Sequence, residues 1–326
     1  MTPFDLDEIL PDFEPVRLPR RQNGNSPQGL AVTLLTDYTL RARARLPSAA
    51  IVALLVESGV TPGGARTTIS RLARRGVLDS SRQGRHTFYR LTQPTAIALA
   101  IGGEAIAAFA TRAESWDGRW TLIAFSLPKG GDTQRRALRG RLRWLGYAPL
   151  YDGLWVSPHR LPREAVAALS EIAPGATTVF RARQVDLDMA VAREPLDAWE
   201  LASTVHRYES FVQRWSPLLP RIGSGDVGGA EAVRARTEVM DTYRRFIGLD
   251  PCLPMRLMPA GWPREHAREV FVAVYDGLGQ PALRHVSDLV ARVTGSRQPD
   301  ITIHTVADML TGVLPGSGPT RMPTPP

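Results

Sequence analysis

Residues that interrupt helices divide the chain between residues 30 and 93 into short segments in a fixed order. The sequence predicts a first helix over residues 30–45, which ends before Pro47. Ser48 is expected to cap a second helix, because its hydroxyl can accept a hydrogen bond from a free backbone N–H group. Gly59 is expected to close that helix, since glycine adopts the conformation that commonly follows a helix end.

A third helix and a hairpin follow. Thr61 is expected to cap the third helix, with Pro62 in its first turn and Gly76 at its C-terminal end. Two β-prone runs then flank residues 82–85, and this spacing predicts a β-hairpin. Two helices, a turn, a third helix and a hairpin form the order of a winged helix-turn-helix domain. The sequence therefore predicts a domain that binds double-stranded DNA through its third helix.

The third helix has one apolar face. Ala65, Ile69 and Leu72 recur at helical spacing, so they share a face that can pack on the preceding helices. The other faces carry Arg66, Thr67, Thr68, Ser70, Arg71, Arg74 and Arg75. Arginine can pair with guanine, and serine or threonine can bond to base edges or phosphates. We therefore expect these seven side chains to contact DNA.

The position of each residue along the third helix separates two roles. Residues toward the N-terminal half of a recognition helix reach the bases, whereas its C-terminal end lies nearer the backbone. Base contacts are therefore assigned to Arg66, Thr67, Ser70 and Arg71, and phosphate contacts to Arg74 and Arg75. In the hairpin, Arg82, Arg85 and His86 are expected near the tip, where they can contact phosphates or a minor groove. The alternative is a solvated face without a partner.

The distribution of charge favours an anionic partner for this segment. The 326-residue chain has a formal net charge of +8. Between residues 30 and 93, ten arginines and three acidic residues give a local net charge of +7. Nearly the whole excess therefore lies in a short part of the chain, where its field would steer the protein toward phosphate groups.

The remainder of the chain predicts two further domains. Residues 114–194 show the order strand, helix, two strands, helix, strand, which is typical of a ferredoxin-like βαββαβ fold. The expected architecture is α+β and multidomain: a disordered tail over 1–28, a winged helix-turn-helix domain with a linker helix (94–113) over 29–113, the ferredoxin-like domain over 114–194, a helical C-terminal domain over 195–311 and a disordered Pro-rich tail over 312–326.

Composition argues against several classes of protein. The single cysteine, Cys252, excludes an internal disulfide and fits a reducing compartment. The acidic N-terminus does not resemble a signal peptide, and no apolar run approaches the ~18 residues that a transmembrane helix needs. The histidines lack metal-ligand spacing, and no nucleophilic triad can be argued. We expect a cytoplasmic protein without a membrane segment, metal, cofactor or catalytic residues.

Five segments resemble the PaaX family of transcription repressors, which is known for controlling phenylacetate catabolism in bacteria. In chain order they are ARTTISRLARRGVL, GRHTFYRLT, WDGRWTLIAFSLP, LGYAPLYDGLWVSPH and, at residues 250–271, DPCLPMRLMPAGWPREHAREVF. The resemblance covers residues 30–295 approximately and leaves both tails outside. It implies a winged helix, a ferredoxin-like middle domain and a helical C-terminal domain.

The resemblance also implies a homodimer that an effector releases from operator DNA. The effector is typically an aryl-acetyl-CoA thioester, with phenylacetyl-CoA as the usual family case. The middle domain is similar to that of a CRISPR-associated nuclease. Such nucleases carry an acidic residue after their first strand, whereas here the strand ends Phe125-Ser126-Leu127. No nuclease activity is expected.

A CoA thioester would need cations for its phosphates, an aromatic face and an apolar cavity. Residues of these types occur on the predicted middle-domain helix and hairpin and on the first helix of the C-terminal domain. The candidates are Arg141, Trp144, Trp155, His159, Arg207 and Arg214. The alternative for each is a core aromatic or a solvated arginine, and Trp155 in particular has the pattern of a packing anchor.

Two other functions stay open. The chain could be an acyl-CoA-binding or hydrolytic enzyme whose basic N-terminal domain is an appendage. It could also bind RNA, since winged helices also contact RNA. Residues 223–228 match G-x-G-x-x-G, but no predicted strand precedes them, so we interpret them as a linker and not as a dinucleotide site.

Overall fold

The computed structural model describes residues 26–111, 115–128, 130–174, 176–185 and 193–313. The chain is mixed α+β, with two small antiparallel sheets and many helices. Its described residues form two compact units. The first, called the helical unit, comprises residues 26–111, 209–247 and 264–313. The second, called the sheet unit, comprises the described residues from 115 to 208 together with residues 248–263. Most of both predicted tails lies outside the described residues.

The first helix, α1, spans Pro27–Thr39 and differs from the prediction at both ends. It begins inside the segment that was expected to be a tail, because Ser26 Oγ accepts a hydrogen bond from the backbone N–H of Gly29. The prediction that it continues to residue 45 is wrong. Arg43 adopts a left-handed conformation with φ 48°, and its guanidinium donates to the carbonyl of Leu91.

A two-residue strand, β1 (Leu46–Pro47), leads directly into helix α2 (Ser48–Glu57). The predicted Ser48 cap is wrong, since Ser48 is the first helical residue and Pro47 occupies the cap position. Pro47 is held there by strand pairing, because it lies opposite Phe88 in an antiparallel ladder. The pairing of β1 with a strand distant in sequence therefore determines where α2 begins.

The third helix and the hairpin follow as predicted: α3 (Pro62–Arg74), β2 (Leu78–Gln83) and β3 (His86–Leu91). Thr61 Oγ1 accepts a 3.2 Å hydrogen bond from Gly64 N, which confirms the cap. Strand β3 lies between β1 and β2 in a three-stranded antiparallel sheet. Gly84, with φ 58°, takes the first turn position, where a type II′ hairpin turn requires glycine.

Helix α4 spans Gln93–Ala108 and is shorter than the predicted helix over 94–113. Phe109 is extended and Ala110 has φ 66°, so the backbone leaves the helix there. The last part of that prediction is therefore wrong. Its final residues, 112 and 113, lie outside the described part of the chain.

The sheet unit contains a four-stranded antiparallel sheet with strand order β5-β6-β4-β7. Its elements are β4 (Trp120–Phe125), α5 (Asp132–Trp144), β5 (Ala148–Tyr151), β6 (Leu154–Ser157), α6 (Arg163–Ile172) and β7 (Thr177–Ala182). Ile123, Phe125 and Trp155 lie on one face of the sheet, in a core that includes residues of α5 and α6. Trp120 and Val156 lie on the opposite face, against two short 3₁₀ segments, Pro195–Ala198 and Met255–Leu257.

The region 195–311 is largely helical, as predicted. Its helices are α7 (Leu201–Trp215), α8 (Leu218–Gly223), α9 (Gly229–Tyr243), α10 (Phe246–Leu249), α11 (Arg264–Gly277), α12 (Gly279–Thr294) and α13 (Val306–Thr311). Helix α9 packs against α1 and α2, and α13 packs against α4. Much of this region therefore shares a core with the N-terminal residues. Within the described ranges, no helix is both long enough and apolar enough to cross a bilayer.

Candidate nucleic-acid interface

Helix α3 separates its polar and apolar side chains sharply. Each helical residue turns about 100°, so positions 66, 67, 70, 71 and 74 fall within a sector of about 140°. These positions carry Arg66, Thr67, Ser70, Arg71 and Arg74, and all five residues are exposed. Three arginines and two hydroxyls on one face are suited to contact phosphates and base edges.

The opposite face of α3 is buried and includes one predicted DNA contact. Ala65, Ile69 and Leu72 are at most 2% exposed, as their spacing predicted. Thr68 lies among them and is 5% exposed. Its position, three residues after Ala65 and four before Leu72, turns its side chain toward α1 and α2. The prediction that Thr68 contacts DNA is therefore wrong.

A glycine near the start of α3 is required by the cap. A Cβ atom on Gly64 would lie 2.9 Å from Thr61 Oγ1, the same atom that accepts the capping hydrogen bond. Any larger residue would have to displace this hydroxyl. Gly64 therefore helps to fix the start of the helix.

Ion pairs with acidic residues neutralise part of the positive charge of residues 30–93. Arg43 and Arg90 both face Asp79, at 4.0 and 3.5 Å, and Arg41 pairs with Asp308 at 3.4 Å. These three arginines are thus compensated by acidic groups. The exposed arginines of this region at positions 45, 66, 71, 74, 82 and 85 have no ion-pair partner within the described ranges. All of these except Arg45 lie on α3 or the hairpin.

The remaining predicted contacts lie at the edges of this surface. Arg75 follows the last residue of α3, and its Nη1 donates to Gln28 Oε1 at 3.0 Å. Gln28, which was not singled out from the sequence, thus fixes the orientation of one arginine. At the hairpin turn, Arg85 Nε lies 3.4 Å from His86 Nε2. Arg82, Arg85 and His86 therefore lie within the last residues of β2, the turn and the start of β3.

A buried polar cluster links α1 to the C-terminal helices of the same unit. The Tyr275 hydroxyl donates to Asp37 Oδ1 at 2.7 Å and lies 3.1 Å from His304 Nε2. Arg236 donates to the carbonyls of Tyr275 and His304, and its Cζ lies 3.6 Å from the centre of the Tyr275 ring. All four side chains are buried. Because α1 packs against α3, the cluster connects the exposed arginine face to distant parts of the chain.

Burial determines the protonation of this cluster. It raises the pKa of Asp37 from 3.8 to about 6, although Arg236 and the Tyr275 hydroxyl act in the opposite direction. Burial, and then Arg236, lowers the pKa of His304 from 6.5 to about 3. His304 is therefore neutral at pH 7. Since Tyr275 gives its one hydroxyl proton to Asp37, His304 Nε2 carries the proton that Tyr275 accepts.

The six predicted effector contacts are distributed over both units. Trp155 is 1% exposed in the core of the sheet unit, so its prediction as an effector contact is wrong. Trp144 is exposed and lies 4.1 Å from the Cζ of Arg141. Arg214 pairs with Glu238 in the helical unit, while Arg207 is exposed in the sheet unit. The backbone carbonyl of His159 accepts from Thr121.

Three family models match this chain in succession. They describe a PaaX-like protein (residues 26–95), the central Cas2-like domain of PaaX protein (residues 113–192) and the C-terminal domain of PaaX-like protein (residues 199–288). The transcriptional repressor PaaX of Escherichia coli K12 is 29% identical over 246 residues, which cover 73% of this chain and 76% of that protein.

A solved structure also resembles the chain. The uncharacterized protein Rv0674 from Mycobacterium tuberculosis superposes with a TM-score of 0.51 at 19% sequence identity. The match covers 80% of this chain and 98% of that structure. At this identity the similarity concerns the fold alone.

Proposed function

This chain belongs to the PaaX family, and on that premise we propose that it is a transcription repressor that binds operator DNA through helix α3. The observation that carries the proposal is the exposed face of α3, where Arg66, Thr67, Ser70, Arg71 and Arg74 lie together opposite a buried apolar face. A repressor of this kind acts on chromosomal DNA, which agrees with a cytoplasmic location. The relationship to a repressor favours a regulator over an enzyme.

The finer architecture is part of the proposal. Helices α1, α2 and α3 with the β2–β3 hairpin have the order of a winged helix-turn-helix domain. In the sheet unit, numbering the four strands by chain order gives a sheet order of 2-3-1-4 with both helices on one face. This arrangement supports a ferredoxin-like domain at residues 114–194. The other domain boundaries, 29–113 and 195–311, remain proposals based on the sequence.

We further propose a homodimer that binds a two-fold related operator. Each protomer would place one α3 in a major groove, with the two half-sites about one helical turn, ~34 Å, apart. An effector that changes the distance or angle between the two recognition helices would abolish this fit. An aryl-acetyl-CoA such as phenylacetyl-CoA is the family default for that effector.

Binding to the promoter region of the protein's own gene tests the proposal. Fluorescence anisotropy at about 150 mM salt should show much tighter binding to this fragment than to random duplex of equal length. Structured RNA should compete no better than random DNA. Equal affinity for all duplexes would contradict the repressor. Stronger competition by structured RNA would favour RNA binding, and turnover of an acyl-CoA without a specific DNA complex would favour the enzyme.

Replacing Arg71 with alanine is expected to weaken binding to the preferred site by about 1–3 kcal/mol. Arg71 is exposed on the polar face of α3, where a bidentate contact to guanine is possible. The loss should be larger for the preferred site than for random duplex, because a base contact carries sequence preference. Arg292→Ala, an exposed arginine on α12, is the charge-matched control and should leave binding unchanged.

Replacing Arg74 with alanine is expected to weaken binding to all duplexes alike. Arg74 is exposed at the last residue of α3, the end that lies nearest the phosphate backbone in this docking mode. Loss of one phosphate contact should reduce the slope of log affinity against log salt by about 1. A salt titration of wild type and variant measures the slope, and a change confined to the preferred site would show that Arg74 contacts a base.

A further inference from the structure

A cleft in the helical unit lies among α1, α4, α9 and α13. Part of it is open to solvent, and its interior space is about 30 Å³. Its walls are mainly apolar, with contributions from Val32, Leu40, Leu99, Ile106, Met240 and Met309. Methionine side chains are flexible, so Met240 and Met309 can move aside for an entering molecule. The interior has room for only one or two water molecules, so a larger ligand enters only if these side chains move.

Asp37 gives this cleft an unsatisfied hydrogen-bond acceptor. Its side chain lines the cleft and is 1% exposed. Oδ1 accepts from Tyr275, whereas Oδ2 has no hydrogen-bond partner in the part of the chain that the structure describes. A buried carboxylate oxygen without a donor is costly, so a donor that reaches Oδ2 is strongly favoured.

Three other polar side chains of the cleft, those of Thr33, Thr36 and Arg244, already donate hydrogen bonds within the protein. The hydroxyls of Thr33 and Thr36 donate to backbone carbonyls of their own helix, at 3.1 and 2.7 Å. Arg244 is engaged with the carboxylate of Asp241 and with Thr33. An anionic group entering the cleft would therefore compete with existing acceptors for these donors, whereas a donor group meets the acceptor on Asp37.

From this arrangement we infer that the cleft binds a small apolar molecule carrying one hydrogen-bond donor, a hydroxyl or an ammonium group, which bonds to Asp37. Helix α1 lines the cleft and packs against α3. A ligand that spreads the cleft displaces α1 and, with it, the exposed arginine face. The expected loss of DNA affinity on binding rests on the proposed function, whereas ligand binding itself does not.

Four probes that share one aromatic ring test the chemistry of the cleft. At about pH 8, where a carboxyl group with a pKa near 6 is ionised, ligand-observed NMR titrations should give benzyl alcohol and benzylamine at least about ten-fold higher affinity than toluene or benzoate. Asp37→Asn should abolish the preference of benzylamine over toluene. Ala100→Leu, on the cleft wall, should weaken every probe about ten-fold, whereas Ala105→Leu, elsewhere on α4, should not.

The inference is overturned if toluene binds as well as benzyl alcohol, if benzoate binds tightest, or if Asp37→Asn leaves the preference intact. If the Ala100→Leu variant does not fold, the loss or persistence of the benzylamine preference in Asp37→Asn decides the question. These titrations are done without DNA, so failure to bind an operator leaves them valid. A parallel anisotropy titration on the operator fragment then reports whether filling the cleft lowers DNA affinity.

Discussion

Replacing Arg236 with methionine is expected to lower the free energy of unfolding by about 3–5 kcal/mol. Arg236 is fully buried and donates to the backbone carbonyls of Tyr275 and His304. Methionine replaces the aliphatic part of the arginine side chain but removes both hydrogen bonds and the positive charge that lowers the pKa of buried Asp37. The two backbone carbonyls then lose their hydrogen-bond donor, and the Asp37 carboxylate loses the positive charge of Arg236. Urea denaturation at constant pH measures the change.

Arg234→Met is the matched control, because it makes the same change two residues earlier on α9, at an exposed position. Arg234 donates one hydrogen bond to the carbonyl of Glu57, so its loss should cost only about 0.5–1.5 kcal/mol. The loss caused by Arg236→Met should also be smaller in an Asp37→Asn background, where no buried carboxylate needs a counter-charge. Equal losses for both arginines would contradict the importance assigned to the buried cluster.

Replacing Asp37 with asparagine is expected to change the free energy of unfolding, relative to wild type, in a pH-dependent way. The change should be about 2 kcal/mol more stabilising at pH 7 than at pH 4. Burial raises the pKa of Asp37 from 3.8 to about 6, so the folded protein holds this proton more tightly than the unfolded chain does. The stability linked to that proton is present below pH 3.8 and is lost as the pH rises through 6. Asparagine does not titrate and keeps an oxygen that can accept from Tyr275.

The same measurement on His304→Gln should give the opposite sign. Burial lowers the pKa of His304 to about 3, so between pH 6.5 and 4 the unfolded chain takes up a proton that the folded protein does not. Removing this histidine should therefore raise stability, relative to wild type, by about 3 kcal/mol more at pH 4 than at pH 7. Differences with the same pH dependence in both variants would contradict the protonation states assigned here.

Local chemistry was enough to predict the elements that position the candidate DNA-binding face. Thr61 caps α3 and the turn at Gly84 closes the hairpin, because both depend on residues within a few positions of each other. Predictions failed where a distant contact intervened. Helix α1 stops early beside Arg43, which bonds to Leu91, and Ser48 lost its cap position because Pro47 pairs with Phe88.

Helical periodicity also predicted most of the candidate site, with the exception of Thr68. That residue is polar and could have faced either way, but three neighbouring apolar positions turn its side chain into the core. Among the predicted effector contacts, the sequence likewise did not show which side chains are buried or paired. Residue type identified aromatic and cationic side chains, but the burial of Trp155 and the pairing of Arg214 depend on which elements pack together in three dimensions.

The sequence by itself determined the third helix, its capped start, its apolar face and the hairpin, since these follow from periodicity and from hydrogen bonds between near neighbours. Tertiary structure alone decided which arginines remain uncompensated and which polar groups are buried together. Asp37, Arg236, Tyr275 and His304 are far apart in the chain, yet they share one cluster in the helical unit. Their protonation, and the cleft that Asp37 lines, depend on desolvation by distant segments, which no local pattern contains.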